Sequence, residues 1–183
     1  MRRSAFIHSQ EIEKYRYPDD SPFKTERAGR TRQVLYTMGL LYGDNIREVA
    51  PKPADRKTLK KFHTAHYLQA LKKAEEGKWD LEALRMGLGT TDCPIFRGMY
   101  GYAVLAAGAT LTGAELILSG EADVAFNPSG GYHHAFPEKA AGFCYINDNV
   151  LACMALAEAG KRVLYLDVDV HCGDGVAHAF YSR

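Results

Sequence analysis

The run VLYLDVDVHCGDGV, residues 163–176, constrains the chain more than any other stretch. Its first half is rich in branched and apolar residues and reads as a buried strand. Asp167, Asp169 and His171 then recur at every second position, so strand geometry turns all three to one face. Val168 and Val170 take the other face and should hold the strand in its sheet. Two carboxylates on one face of an apolar strand repel each other and resist desolvation unless a cation or hydrogen-bond donors compensate. The CGDG segment then turns the chain sharply away.

The rest of the chain supplies the partners such a strand needs. SAFIH (residues 4–8) predicts a first strand, AGRTRQVLYTMGLL a helix, and RKTLKKFHTAHYLQALKKAEEG helical segments ending at Gly77. A long helix is expected from about Phe96 to Leu118, a strand in ADVAFNPSGG, a helix in CYINDNVLACMALAEAG stopped by Gly160, and a strand in KRVLYLDVDV. This alternation predicts an α/β fold with a parallel sheet flanked by helices. No internal repeat or low-complexity tract interrupts it, and 183 residues suffice for one compact domain.

Composition narrows the function classes. Apolar residues make up 46% and the net charge is +1, so no basic excess argues for nucleic acid. The opening MRRSAFIHSQEIEKYRYP has no long apolar core and does not read as a signal peptide. YAVLAAGATLTGAELIL is interrupted by Thr, Gly and Glu115, and reads as a packed helix instead of a membrane span. Four cysteines without CxxC spacing are expected to be reduced thiols of a cytoplasmic protein.

Ligands of open α/β sheets sit beyond the carboxyl ends of the strands. Asp169 and His171 lie at such an end, and carboxylate plus imidazole make a partial shell for Zn²⁺. The alternative is a strand end whose acids cap the next helix or face solvent. A second cluster, SGGYHHAFPEKAAGFCYIND (residues 129–148), follows the ADVAFN strand. Adjacent His133 and His134 can serve one cavity in different roles, and a catalytic imidazole needs an orienting group on its other nitrogen. Asp167 and Asp174 suit that purpose if the two strand ends are neighbours. Gly142 and Phe143 could add a carbonyl and an aromatic wall. By contrast, His63 and His66 read as packing residues at a helix start, Asp148 as a residue that caps or orients a helix, and His8 and His178 have no evident partner.

GGYHHAFPEKAAGFCYIND followed by VLYLDVDVHCGDGVAHAFY resembles the histone deacetylase superfamily, which includes bacterial acetoin utilization proteins and acetylpolyamine amidohydrolases. SPFKTER, FHTAHYLQAL and GTTDCPIF are similar to upstream segments of the same family. The resemblance implies the arginase/deacetylase-type fold, here its N-terminal part, and a zinc-dependent amidohydrolase acting on acetyl-lysine or another acetylated amine. It implies Asp169 and His171 as two of three zinc ligands, and His134 with Asp174 as the general base and its orienting acid. His133 with Asp167 is the more buried, charge-stabilising imidazole. A structural K⁺ site would use Asp167, and a second would take carbonyls of Phe180 and Arg183. Asp92 matches a rim acid that grips substrate backbone, Gly142 a carbonyl contacting the lysine amine, Phe143 the tunnel wall, and Arg27 the arginine of an internal channel.

Two departures qualify the match. Cys172 stands where the family usually has a second histidine. The family's third zinc ligand and a transition-state tyrosine fall past Arg183, so residues 1–183 are expected to be a single incomplete deacetylase domain, inactive alone. A homo-oligomer or a further C-terminal segment could complete it, and neither nucleic acid nor membrane is an expected partner. The alternatives are a non-catalytic, partner-binding remnant and, more weakly, an arginase-like ureohydrolase, whose paired manganese favours DxHxD over the DxDxH found here.

Overall fold

The computed structural model describes residues 2–181. Three parallel strands form a sheet in the order β2-β1-β3: β1 (Ser4–Ile7) lies between β2 (Ile46–Val49) and β3 (Val124–Phe126). Helix α1 (Arg27–Thr37) crosses from β1 to β2. Three further helices precede the core helix: α2 (Arg56–Leu59), α3 (Ala65–Glu75) and α4 (Leu81–Arg85). Each starts on a side-chain cap, from Asp55, Thr64 and Asp80 respectively, which satisfies N–H groups the first turn leaves free.

Helix α5 (Met99–Leu118) is the element around which the others pack. It is long and apolar enough to cross a membrane by length and composition, yet it is largely buried within this fold. Its glycines permit close approach: a Cβ at Gly113 would meet Ala125 of β3 at 3.1 Å, and one at Gly108 would stand 1.8 Å from the Lys52 carbonyl oxygen. The loop carrying Lys52 is stitched to α5 by bonds from Lys52 N–H to Thr112 Oγ1 and from Ala54 N–H to the Val104 carbonyl. Helices α6 (Asp148–Glu158) and α7 (Asp174–Phe180) follow, α6 ending just before Gly160 at φ +78°.

One expected strand does not form, and β2 is a strand that the sequence pattern does not predict. Residues 161–170, expected as a strand, make no ladder hydrogen bonds to any strand among the described residues, and the chain bends at 169–171. Val168 and Val170, expected to hold it in the sheet, are 88% and 91% exposed, and Leu164 is 89% exposed. The physical reason is separation: a cleft of about 800 Å³, lined in part by Val124, Phe126, Ala152, Leu156 and Leu166, borders both β3 and this run. A strand exists only where a neighbour accepts its N–H groups, and none lies within reach. The backbone turns instead to its own acids. The Asp167 carboxylate accepts the Asp169 N–H at 3.1 Å, and that of Asp169 accepts the His171 N–H at 2.7 Å. Helix α5 also begins three residues later than expected, because Gly98 at φ +87° is a left-handed break before Met99.

Gly108→Ala should lower unfolding free energy by about 1–3 kcal/mol despite the better helix propensity of alanine, because the added methyl meets backbone instead of a movable side chain. Urea denaturation followed by circular dichroism measures this; an unchanged midpoint would contradict the close packing of α5.

Candidate active site

The loop following β3 and the extended segment preceding α7 converge on a cavity of about 520 Å³. His133, His134, Asp169, His171, Gly142, Phe143, Asp92 and Arg27 all line it. Asp167 and Asp174 contact the histidines from behind. His133 Nδ1 lies 2.8 Å from Asp167 Oδ2, and His134 Nδ1 lies 2.8 Å from Asp174 Oδ1. The two imidazoles are themselves adjacent, with ring centroids 4.1 Å apart. Phe180 ends α7 and does not line the cavity, and Arg183 falls outside the described residues.

Glycines make this approach possible. A Cβ at Gly173 would stand 2.5 Å from Asp167 Oδ2, and one at Gly175 would stand 2.4 Å from the Ala135 carbonyl oxygen. A Cβ at Gly142 would lie 2.4 Å from the His134 ring. Spacing in sequence cannot reveal these contacts, since His133 and Asp167 are 34 residues apart.

The electrostatics assign the protons. Bonding to His133 holds the Asp167 carboxyl below the usual carboxylate range, so it is ionised near neutrality. An ionised carboxylate only accepts, so Nδ1 of His133 is the donor in this bond. Asp174 Oδ1 faces Nδ1 of His134 at the same distance. Asp169 is also lowered, chiefly by the His171 N–H.

Asp169 Oδ1 and His171 Nδ1 are 3.1 Å apart. Two donors on one tetrahedral Zn²⁺ stand about 3.3 Å apart at ordinary bond lengths. The pair therefore fits as two donors of such an ion, and both side chains are open to solvent. Among the described residues no third His, Cys, Asp or Glu converges with them.

The cavity wall is aromatic. Phe143 stacks on Phe23 at 6.0 Å and 21°, and the Arg27 guanidinium sits 4.5 Å over the Phe23 ring. Phe143 is the one described non-glycine residue at positive φ, +66°, a conformation costing roughly 1–2 kcal/mol for an L residue. Buried Tyr17 secures it by donating its hydroxyl to the Phe143 carbonyl at 2.9 Å. Tyr17 and Phe23 are not among the expected site residues; their signal is slight, a tyrosine before Pro18 and a phenylalanine after Pro22 in a polar loop. Cys144 is buried, its thiol raised by desolvation, and bonds the Gly142 carbonyl. Cys172 is exposed.

The remaining histidines divide as their surroundings dictate. His66 is exposed beside Glu82, and His8 pairs with Glu13 at 2.8 Å. His178 packs edge-on against Phe136. His63 is buried and accepts the Asn147 N–H at 3.0 Å.

The comparisons place this arrangement in a family. The histone deacetylase domain matches residues 21–183. Histone deacetylase 8 of Xenopus tropicalis is 47% identical over 156 residues, covering 84% of this chain and 42% of its own length. The acetoin utilization protein AcuC of Bacillus subtilis is 40% identical over 185 residues, covering 100% of this chain and 47% of its own. The crystal structure of an HDAC homolog from Aquifex aeolicus superposes with a TM-score of 0.87 at 36% identity, covering 98% of this chain and 48% of that one. The fold is the arginase/deacetylase fold, and the chain belongs to the histone deacetylase domain family. It spans less than half the length of each of these relatives.

Burial lowers the His63 pKa from 6.5 to about 4, so the fold favours the neutral ring. Stability from this group is complete above the unfolded value of 6.5 and is lost as pH falls from there towards 4. The full loss is ~3 kcal/mol. Urea unfolding at stepped pH should show this slope, and His63→Gln should flatten it; an identical slope in the variant would assign it to other groups.

Proposed function

We propose that this chain carries the proton-handling half of a zinc-dependent amidohydrolase site that removes acetyl groups from acetyl-lysine or a related acylated amine. The observation that carries this reading is the doubled histidine–carboxylate pairing, His133 with Asp167 and His134 with Asp174, at one wall of one cavity. Its bearing comes from family membership.

On this reading Asp169 and His171 would hold the ion, and Zn²⁺ bound there would supply Lewis acidity toward an acyl carbonyl and a water molecule. His134, its Nδ1 fixed by Asp174, accepts a proton from water at Nε2 and returns it to the leaving amine. His133, the more buried ring, stabilises developing negative charge through its Asp167-backed imidazole. Phe143 and Phe23 enclose an extended aliphatic chain, the Gly142 carbonyl accepts from the substrate amine, and Asp92 at the rim accepts from substrate backbone N–H groups. Arg27, at the inner wall, offers a cation for the released acetate. Asp167 also serves a structural K⁺. Acetylated protein lysines and small acetylated amines present the same reacting group to this cavity.

The domain is incomplete in these 183 residues on the same reading. Only two ion donors converge among the described residues, and the exposed Leu164, Val168 and Val170 are surfaces that the remainder of a full-length domain would cover.

Two measurements test this. Isothermal titration of the 183-residue chain with Zn²⁺ should show weak binding that disappears in Asp169→Ala, with no turnover of an acetyl-lysine peptide. Tight stoichiometric zinc together with turnover would overturn the incompleteness. Joined to the C-terminal portion of a close relative, the chain should gain deacetylase activity. His134→Ala in that hybrid should lower kcat by about 10²–10⁴-fold with zinc content unchanged. Undiminished activity would remove His134 from the proton-transfer role.

A further inference from the structure

Helix α6 starts with two fully buried polar residues, Asn147 and Asp148, for which the chemistry above has no use. Asn147 is the helix cap: its Oδ1 accepts the Val150 N–H at 3.1 Å. Asp148 is therefore not needed as a cap, and its side chain turns back toward the histidine loop. Oδ1 accepts the Tyr132 N–H at 2.7 Å; Oδ2 accepts the Gly131 N–H at 3.0 Å and the Thr110 hydroxyl at 2.5 Å.

We propose that Asp148 is the positioning residue of the His133–His134 pair, a buried carboxylate that fixes the backbone immediately before both imidazoles so that each meets its own acid. The proposal rests on the reading of those histidines as the proton-handling pair and adds the group that sets their geometry.

Three features support it. The bonded N–H groups belong to the two residues directly preceding His133, so a shift there moves the root of both rings. The loop is closed onto the carboxylate: a Cβ at Gly130 would lie 2.5 Å from Asp148 Oδ2, and Gly131 sits at φ +94°, where side-chain-bearing residues are disfavoured. The far side of the loop is held from the neighbouring residue, Asn147, whose Nδ2 donates to the carbonyls of His133 at 3.3 Å and Ala135 at 3.0 Å. All of the carboxylate's partners here are donors, which matches an ionised, acceptor-only group. The start of α6 adds favourable potential for that charge. Burial is the largest influence on its carboxyl and raises it above the usual carboxylate range, and the three donors offset only part of that rise.

The test uses the 183-residue chain and reads geometry, so it is independent of whether the site hydrolyses anything. Imidazole N–H protons bonded to carboxylates give low-field NMR signals, and the unsubstituted chain should show them for His133 and His134. Asp148→Asn keeps the shape but opposes an NH₂ to a backbone N–H. It should abolish or shift both signals and speed amide exchange at Gly131 and Tyr132 about tenfold, while helix content and cooperative unfolding persist. Thr110→Val, which removes one donor and leaves the charge, serves if Asp148→Asn does not fold: it should shift the His133 signal and speed Gly131 exchange in a folded chain. Unaltered signals in folded Asp148→Asn, or in Thr110→Val where that variant decides, would overturn the proposal. So would their absence from the unsubstituted chain. Loss of zinc binding or turnover in the hybrid bears on the proposed function and leaves this result standing.

Discussion

Everything in this fold is located relative to the burial of α5. Its apolar surface meets β1 and β3 on one side, α6 and α3 on others, and the Lys52 loop at Gly108. Such a helix has no exposed stripe to spare, so the elements around it must supply complementary shapes at near-crystalline packing density. Two of its polar groups are directed at the site, while Thr112 holds the Lys52 loop. Thr110 reaches Asp148, and Tyr102 meets the Tyr132 hydroxyl beside the histidine loop. Core and site are thereby one packing problem, and the loop bearing His133 and His134 inherits the rigidity of the longest helix.

The second organising fact is electrostatic. Acidic side chains gather around the cavity, and each is compensated by donors, not by burial away from charge. Asp167 takes His133, Tyr165 and a backbone N–H; Asp148 takes two backbone N–H groups and a hydroxyl. Asp169 takes the His171 N–H, and its Oδ1 faces His171 Nδ1 at 3.1 Å with both side chains open to solvent, a donor pair whose chemistry suits an ion.

The extended run of residues 161–170 shows how far local pattern can be read. Its residues have every property of a buried strand, and local propensity is correct in that the chain is extended. Pairing, however, is a property of neighbours. With no strand alongside, Leu164, Val168 and Val170 meet solvent, and the backbone N–H groups of Asp169 and His171 are satisfied by acids two residues earlier. The chain bends at residues 169–171, so Asp169 and His171 line the cavity while Asp167 contacts His133.

By itself, the sequence determined most of the helices, the strands β1 and β3, the residue types of the site and their family. These depend on local periodicity, caps and residue type, which act over a few positions, as where Gly160 ends α6. Only the tertiary structure decided which acid serves which histidine, why Gly173 and Gly175 must be glycines, that Tyr17 holds Phe143 in a left-handed turn, and that Asp148 bonds the histidine loop. Those facts join residues from 16 to 126 positions apart. Such contacts arise from packing around α5, and no short-range pattern encodes the distance between two segments that meet only when the core has closed.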